Sequence, residues 1–428
     1  MTSNTSNHPS ISEKTTDEPD TSVPFFKPHL TEQEINAVAE TLRSGWLTSG
    51  PQVKEFEREF AEAVKADFAI ALNSCTAALH LAVEALGLQE GQAVLVPAMT
   101  FAATAEIVLY KNAIPILVDC DPVTGNMDIA DAENKMAQLK NGDLPISSGS
   151  DIQVVGIIPV HVGGYLLDIA KVKDLAERHK LWVVEDAAHA FPAAWRTDAE
   201  SEWQYCGENT ADVTCYSFYA NKTMTTGEGG MAVTNDPELA DRMRLMSLHG
   251  LSHDAWGRYS GGAWDYKIVA PGYKYNLTDI AAALGRGQLA RAEEMRKQRE
   301  AIAGFYLDSF AGSALELPPV SDDRIHSWHL FPIRLNLESL TIDRDEFMVE
   351  LKNRGVGCSV HWRPLHLHPL YEGLGWKESD LPTATEVWKR LISLPISSSM
   401  TMDQANKVVE TVKAICSEHS SPKKPTAA

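Results

Sequence analysis

Short runs of apolar residues alternate with segments of helical periodicity through the first two thirds of the chain. Apolar runs bounded by turn residues predict buried strands, and apolar positions three or four residues apart predict amphipathic helices. The strands are predicted at residues 69–73, 93–97, 114–119, 151–159, 181–185, 213–218 and 231–234. The helices are predicted at residues 31–43, 52–64, 76–86, 102–111 and 168–180. Thr31, with Glu34 three residues later, predicts a capping box at the start of the first of these helices. This alternation predicts an α/β fold with a mostly parallel sheet that helices cover on both faces.

The pattern changes near residue 290. A long helix is predicted from about Asp279 to about Phe310, and the chain beyond it mixes strand-like runs with a last amphipathic helix from about Met402. This mixed pattern of strands and helices indicates a smaller α+β unit. We therefore predict disordered tails at residues 1–23 and 417–428, a large α/β domain at residues 24–290 and a small C-terminal α+β domain at residues 291–416.

The charge balance is acidic, with 38 lysines and arginines against 58 aspartates and glutamates and a net charge of −20. Phosphate backbones bind to clustered cations, so this balance argues against a nucleic-acid partner. The six cysteines form no CxxC pair, which is typical of a reducing compartment. The N-terminal segment lacks the basic and apolar regions of a signal peptide, and no apolar run is long enough to span a bilayer. We expect a soluble, cytoplasmic protein without a membrane partner.

Polar or aromatic side chains follow several predicted strands where each strand ends. The amides of Cys75 and Thr76 would begin a helix, where they could bind a phosphate or simply form a helix cap. Phe101 could stack on a planar ligand or belong to the core. Asp186 ends an apolar strand, with His189 three residues later, and could be a site carboxylate, a cap or a metal ligand. The ligand spacings expected for zinc do not occur in the sequence, so no metal site is predicted.

The segment SFYANKTMTTGEGG, residues 217–230, places Lys222 between an aromatic strand end and a glycine-rich turn. Glycines tolerate positive φ and have no Cβ, so this turn could approach a bulky ligand closely. A lone lysine in such a place is more often a solvated loop residue. Combined with Ser217, the phosphate-binding turn, the aromatic ring and the carboxylate, it completes a set of groups suited to pyridoxal phosphate. Lysine forms a Schiff base with the aldehyde of this cofactor, and a carboxylate keeps its pyridine nitrogen protonated.

Seven motifs resemble those of a known family, the DegT/DnrJ/EryC1/StrS family of pyridoxal-phosphate-dependent nucleotide-sugar aminotransferases, over residues 24–415. They are SGWLTSGP (44–51), NSCTAALHLA (73–82), VPAMTFAAT (96–104), VEDAAHA (184–190), SFYANKTMTTGEGG (217–230), PGYKYNLTDIAAALG (271–285) and GVGCSVHWRPLHLHP (355–369). Within the family, the sequence looks most like UDP-4-amino-4-deoxyarabinose aminotransferases and similar C4 sugar aminotransferases. The resemblance implies a fold type I architecture, like that of aspartate aminotransferase, and a homodimer whose active sites are shared at the subunit interface.

The resemblance also implies roles for individual residues. Lys222 would be the catalytic Schiff-base lysine, and Asp186 would pair with the pyridine nitrogen of the cofactor. Phe101 occupies the position that stacks on the ring. His189 stands where the family places a glutamine or histidine beside the cofactor.

A second group of residues would hold the phosphate and the substrate. Cys75, Thr76 and Ser217 match the positions that bind the cofactor phosphate. Asn276 would reach the phosphate bound by the neighbouring subunit. His361 lies in the segment that the family places on the substrate side.

The implied activity is a ping-pong transamination. An amino-acid donor, L-glutamate by family analogy, would aminate the cofactor, which would then aminate the 4-keto group of a nucleotide-linked sugar. Such products enter amino-sugar, lipopolysaccharide and other cell-surface polysaccharide biosynthesis. Arg258, Arg363 and Lys274 are candidates to bind the diphosphate. Two alternatives remain: a sensor or regulatory protein that binds the cofactor without turnover, and a same-fold sugar dehydratase, in which histidine replaces the lysine found here at Lys222.

Overall fold

The computed structural model describes residues 22–146, 152–251 and 266–421. Arg258 and most of both predicted tails lie outside the described residues. The strands are β1 (Phe68–Leu72), β2 (Ala93–Pro97), β3 (Ile114–Val118), β4 (Val154–Ile157), β5 (Trp182–Asp186), β6 (Ala194–Trp195), β7 (Gln204–Tyr205), β8 (Val213–Ser217), β9 (Gly230–Thr234), β10 (Leu315–Glu316), β11 (Arg324–Ile325), β12 (Phe331–Leu335) and β13 (Leu391–Leu394).

The α-helices of the described residues alternate with these strands in the first part of the chain. They are α1 (Glu32–Ser44), α2 (Pro51–Val64), α3 (Cys75–Ala85), α4 (Ala103–Leu109), α5 (Ile129–Asn141), α6 (Ile169–His179), α7 (Pro237–Ser247), α8 (Asp279–Ala290), α9 (Ala292–Phe310), α10 (Arg344–Asn353), α11 (Pro369–Gly373), α12 (Pro382–Arg390) and α13 (Met402–Glu418). Thr31 and Glu34 form the predicted capping box at the start of α1. Within the described part of the chain, no helix combines the length and apolar character needed to cross a bilayer.

Seven strands form the central sheet in the order β1-β9-β8-β5-β4-β2-β3. Strand β9 pairs antiparallel with both of its neighbours, and the other pairs of the sheet are parallel. The predicted mostly parallel sheet is therefore confirmed. Since six strands run in one direction, their carboxyl ends meet at one edge, where open α/β sheets bind their ligands. The first residue of β9, Gly230, lies at this same edge, opposite Leu72 and Ser217.

Both faces of the sheet are buried, as the continuous apolar strands predict. In β1, Ile70 and Leu72 belong to one apolar cluster, whereas Ala69 and Ala71 belong to another. This division follows the two-residue period of a strand, which sends alternate side chains to opposite faces. The sheet is thus enclosed by two layers of helices and loops.

The helix predicted over residues 279–310 is in fact two helices, α8 and α9, which meet at Arg291. Arg291 has φ −112° and ψ 5°, outside the helical range. Its guanidinium donates to the buried carboxylate of Glu34 at 3.0 Å, which ties the break to α1. Periodicity in the sequence could not reveal this break, since both halves present apolar residues at helical spacing.

The C-terminal part builds a third apolar cluster around β12, β13 and α13, in which Tyr306, Phe331 and Phe347 are fully buried. Its helix α12 packs differently, because Ala384 and Val387 join the core of the central sheet. The two proposed domains, divided near residue 290, therefore share buried contacts.

Asp279 joins two distant parts of the chain at the start of α2. Its Oδ1 accepts hydrogen bonds from the amides of Gly50 and Val53, at 2.7 and 3.0 Å, and its Oδ2 accepts one from Gln52 at 3.2 Å. These are amides of the helix start, which lack intrahelical acceptors. A carboxylate from α8 therefore caps α2 and fixes the loop before it.

We expect Asp279→Ala to lower the free energy of unfolding by about 1 to 2 kcal/mol, since a cap that serves buried amides is lost. The control is Asp236→Ala, because exposed Asp236 caps α7 through the amides of Glu238 and Leu239. Urea unfolding of both variants measures the difference. Equal losses of unfolding free energy in the two variants would contradict a larger contribution from the cap that joins two distant segments.

Candidate active site

A cavity of about 530 Å³ opens at the carboxyl edge of the central sheet. The residues that line it come from segments far apart in the sequence. Seven of the predicted site residues are among them: Cys75, Thr76, Phe101, His189, Ser217, Lys222 and His361. Asp186 and Asn276 are not part of its lining.

The N-terminus of α3 forms one wall of the cavity. Ser74 caps this helix, its hydroxyl oxygen accepting a hydrogen bond from the amide of Ala77 at 3.1 Å. The preceding amides, of Cys75 and Thr76, come before the first intrahelical carbonyl acceptor and can bind an anion. Burial raises the pKa of the Cys75 thiol well above its ordinary value, so no thiolate opposes an anion there.

Gly230 allows this wall to form. A Cβ added at Gly230 would lie 2.4 Å from the carbonyl carbon of Ser74 and 2.5 Å from the amide nitrogen of Cys75. Only a glycine lets β9 approach the start of α3 this closely. Ser217, the last residue of β8, pairs with Gly230 and brings its side chain to the same wall.

Lys222 lies in the loop between β8 and β9, which closes on itself through hydrogen bonds at its base. The amide of Thr226 donates to the carbonyl of Phe218 at 3.0 Å, and the amide of Phe218 donates to Gly229 at 2.9 Å. Gly227 adopts φ +81°, the left-handed conformation that glycine favours. The threonines and glycines after Lys222 therefore build a compact turn that presents the lysine to the cavity.

Burial lowers the pKa of Lys222 to about 8, although the negative charge of Asp186 raises it. An ordinary lysine has a pKa of 10.5. The amine is therefore neutral at a lower pH than a surface lysine. A neutral amine is a nucleophile and a base, which is the form that carbonyl chemistry requires.

Asp186 ends β5 and is buried beside the cavity, with 5% of its surface exposed. The hydroxyl of Thr104 donates to its Oδ2 at 2.7 Å, and the amide of Ala188 donates to its Oδ1 at 3.1 Å. Burial raises the pKa of Asp186, whereas the hydrogen bond from Thr104, the amide of Ala188 and the charge of Lys222 lower it. A cation placed against this carboxylate would offset the cost of burying it.

The preceding residue, Glu185, shows the contrast. It faces the other side of the sheet, where its carboxylate accepts hydrogen bonds from Thr210 at 2.6 Å and Thr214 at 2.9 Å. The ring of His161 also lies 3.6 Å from it. Although burial raises the pKa of Glu185, these partners, with His161 first, lower it below its ordinary value. Glu185 is thus satisfied within the protein, whereas Asp186 is suited to an added cationic group.

Aromatic rings enclose the rest of the cavity. The ring of His189 stacks on Trp362 with 5.0 Å between centroids, and it lies 4.2 Å from the ring of His329. The amide of Gly163 donates to Nδ1 of His189 at 3.2 Å. Burial, followed by the charge of Lys222, lowers the pKa of His189 well below its ordinary value, so the ring is neutral with its proton on Nε2.

Two further rings lie at the cavity mouth. Phe101 is 63% exposed, so a flat face is free to receive a planar ligand. His361 packs against Phe25 with 5.5 Å between centroids, and its Nδ1 lies 2.9 Å from the Ser393 hydroxyl. Burial, followed by the charge of Lys222, lowers the pKa of His361 to about 4, so this ring is also neutral near pH 7.

Asn276 lies at the same edge of the sheet but is not part of the cavity lining. It forms an antiparallel bridge with Leu72, and its Nδ2 donates to the hydroxyl of Ser49 at 2.7 Å. Of the candidate diphosphate cations, Lys274 contacts Asn276, and Arg363 donates to the carbonyl of Leu367 at 2.6 Å. Neither cation lines the cavity.

Among the residues that contact Asp186 or His189, the sequence prediction missed Thr104, His329 and Trp362. Trp362 directly follows the predicted His361, so the position of His361 could have indicated that Trp362 also lies at the site. His329 lies between β11 and β12, far from the other site residues in sequence. Nothing in its local sequence indicates that it would reach the cavity. Thr104 lies three residues after Phe101, but a threonine in the first turn of a helix is too common to indicate a site.

The residues present fit pyridoxal phosphate. The cofactor needs a lysine with a neutral amine, an anion-binding turn and an acid that holds a pyridinium nitrogen. Lys222 and the start of α3 offer the first two groups in the lining of the cavity, and Asp186, buried beside it, offers the third. Two features favour this cofactor over another polar ligand. The pKa of Asp186 is raised, and Gly230 lets β9 approach the start of α3 closely.

Comparisons with known proteins agree with this geometry. The family model for the DegT/DnrJ/EryC1/StrS aminotransferase family matches residues 28–413. The spore coat polysaccharide biosynthesis protein SpsC of Bacillus subtilis is 41% identical over 397 residues, which cover 92% of this chain and 97% of SpsC.

Solved structures give the same result. Spr1654 of Streptococcus pneumoniae, in its PLP form, has a TM-score of 0.82 and 31% identity, covering 93% of this chain and 99% of Spr1654. The sugar aminotransferase CalS13 of Micromonospora echinospora has a TM-score of 0.76 and 29% identity, covering 91% of this chain and 99% of CalS13. The predicted fold type I architecture is confirmed by these neighbours.

We expect the rate at which the apoprotein captures pyridoxal phosphate covalently to rise with pH, with a midpoint near the pKa of about 8 for Lys222. The neutral amine is the nucleophile, so the rate falls as pH drops below this value. Stopped-flow absorbance between about pH 6 and 11 measures it, with Lys222→Arg as the control that captures none. A rate that still rises steeply near pH 10.5 would contradict the lowered pKa.

Proposed function

Because the chain belongs to the DegT/DnrJ/EryC1/StrS aminotransferase family and is a pyridoxal-phosphate-dependent sugar aminotransferase, we propose that it aminates the keto group of a nucleotide-linked sugar. The 4-keto position and L-glutamate as donor complete the proposal. The observation that carries it is that a lysine of lowered pKa lines a cavity and a buried carboxylate lies beside it, close enough for the two charges to interact. We place the reaction in the cytoplasm, in amino-sugar synthesis for cell-surface polysaccharides.

The chemistry of the cavity wall favours a hydroxylated substrate. Among the described lining residues, the charged groups are Lys222 and Glu228, and the others include the neutral rings of His189, His329 and His361. Neutral donors and acceptors suit sugar hydroxyls, and flat rings suit the apolar face of a sugar. The names of CalS13 and SpsC, a sugar aminotransferase and a polysaccharide biosynthesis protein, support the same substrate class.

The side chains have separate tasks in this proposal. Bound pyridoxal phosphate supplies an electron sink for the carbon from which a proton is removed. Lys222, freed as a neutral amine, moves that proton between the donor Cα and C4′ of the cofactor. Asp186 keeps the ring nitrogen protonated. The amides of Cys75 and Thr76 hold the phosphate, so that ring and lysine stay aligned.

The remaining predicted residues complete the proposed site. Phe101 covers one face of the ring, and His189 lies beside the cofactor. Ser217 adds a hydroxyl for the phosphate, and His361 contacts the sugar. Lys222 also disfavours the dehydratase alternative, in which histidine would occupy this position. A sensor without turnover would share the binding groups, so only activity separates it from an aminotransferase.

We propose further that the active protein is a homodimer in which Asn276 completes the phosphate site of the partner subunit. Asn276 lies outside the cavity of its own chain, and the exposed ring of Phe101 leaves the cavity mouth open. Both features suit a site that a second copy covers.

The purified protein with pyridoxal phosphate should be yellow, and borohydride should fix the cofactor to the peptide that contains Lys222, as mass spectrometry can detect. With L-glutamate and a panel of nucleotide-linked 4-keto sugars, it should release 2-oxoglutarate. Lys222→Ala should lower this rate about 100- to 10,000-fold, since the general acid–base group is lost. Lys140→Arg, an exposed control on α5, should not.

A protein that takes up no pyridoxal phosphate would overturn the proposed function at its first step. A yellow protein that responds to no amino donor would instead favour the sensor.

The shared site predicts complementation between two inactive variants. In a mixed dimer of Lys222→Ala and Asn276→Ala subunits, one site carries both changes and the other carries neither, so half of the wild-type sites are restored. We expect a mixture refolded or co-expressed with two different tags to regain activity in the doubly tagged fraction. Activity no higher than that of the Asn276→Ala homodimer would contradict a site shared through Asn276.

A further inference from the structure

We propose that Thr104 is a positioning residue whose hydroxyl orients Asp186 and keeps it ionised against the pyridine nitrogen, an inference that rests on the proposed function. Thr104 Oγ1 donates to Asp186 Oδ2 at 2.7 Å, and Thr104 is completely buried. It does not line the cavity, so it acts on the reaction only through Asp186.

The ionised state of Asp186 fixes the direction of these hydrogen bonds. An ionised carboxylate can only accept, so Thr104 must give its single hydroxyl proton to Asp186. The oxygen of Thr104 can then accept from the hydroxyl of Thr100, which lies 2.7 Å away and is also buried. The result is a chain, Thr100 to Thr104 to Asp186, in which each hydrogen bond polarises the next.

The hydroxyl of Thr104 is the stronger of the two hydrogen-bond donors to the carboxylate of Asp186. The other oxygen of Asp186 accepts from the amide of Ala188, at the longer distance of 3.1 Å. Among the partners that lower the pKa of Asp186 against the effect of burial, Thr104 comes first, ahead of the amide and the charge of Lys222. Hydrogen bonds to a charged acceptor are shorter and stronger than those between neutral groups.

The same contact fixes the direction of the carboxylate. Thr104 lies in the first turn of α4, beyond the end of β2, whereas Asp186 ends β5. Thr104 has no exposed surface, so its hydroxyl has little freedom to turn away. A buried β-branched side chain is also stiff at χ1. The carboxylate is therefore held from a second segment of the chain as well as from its own strand.

Loss of the hydroxyl has a defined consequence. Without a donor at Oδ2, burial favours the protonated acid, and a protonated acid no longer keeps a ring nitrogen positively charged. The cofactor would bind more weakly and withdraw electrons less well. The rate of turnover should therefore fall more than the affinity for the sugar, whose contacts lie elsewhere in the cavity.

The test compares Thr104→Val, which keeps the shape and removes the hydroxyl, with Thr104→Ser, which keeps the hydroxyl. We expect Thr104→Val to lower kcat about 10- to 100-fold, the loss typical of a hydrogen bond to a charged group. Its apparent Kd for pyridoxal phosphate, measured on the apoprotein by absorbance, should rise about 10-fold, while KM for the sugar stays within about 2-fold. Thr104→Ser should recover most of both losses.

Two results would overturn the inference. Thr104→Val could bind pyridoxal phosphate and turn over like the wild type, or Thr104→Ser could lose as much as Thr104→Val at an unchanged melting temperature, which would assign the effect to the methyl group. A wild-type protein that binds the cofactor but transfers no amino group would instead contradict the proposed function. The affinities of the two variants for pyridoxal phosphate would still test the role of Thr104 in that case.

Discussion

The site depends on one electrostatic pairing, between the buried carboxylate of Asp186 and a cation that must meet it. Burial alone would drive this acid toward its neutral form, and the hydrogen bonds from Thr104 and Ala188 together with the charges of Lys222 and His161 oppose that tendency. In the proposed function, a protonated pyridine nitrogen would supply the missing positive charge, and the carboxylate would in return keep that nitrogen protonated. The apoprotein would then already be organised around the charge of its cofactor.

The parallel sheet makes this pairing possible. Cys75, Asp186 and Ser217 are separated by more than a hundred residues of sequence at their extremes, yet each follows a strand whose carboxyl end lies at one edge. Strand β9 runs the other way and so begins at that edge, at Gly230, where the absence of a side chain admits the start of α3. Each group lies at or just beyond the end of its strand, which explains how a rigid fold brings chemically different groups from distant segments to one edge of the sheet.

Much of this arrangement could be predicted from the sequence, because strands and helices follow local periodicity and strand ends follow from them. The start of α13 at Met402 and the capping box of Thr31 were predicted at the observed residues. Contacts between distant segments could not be predicted this way. The break at Arg291 depends on a glutamate in α1, and the supports of Asp186 include a threonine from α4, so both arise from packing and not from local pattern.

A crystal structure of the protein grown with pyridoxal phosphate tests the central pairing most directly. Continuous electron density should join Nζ of Lys222 to the cofactor, with a carboxylate oxygen of Asp186 within about 2.6 to 3.0 Å of the ring nitrogen. Density that joins the cofactor to another lysine, or a ring nitrogen that faces solvent or a group other than Asp186, would contradict the assignment of both residues.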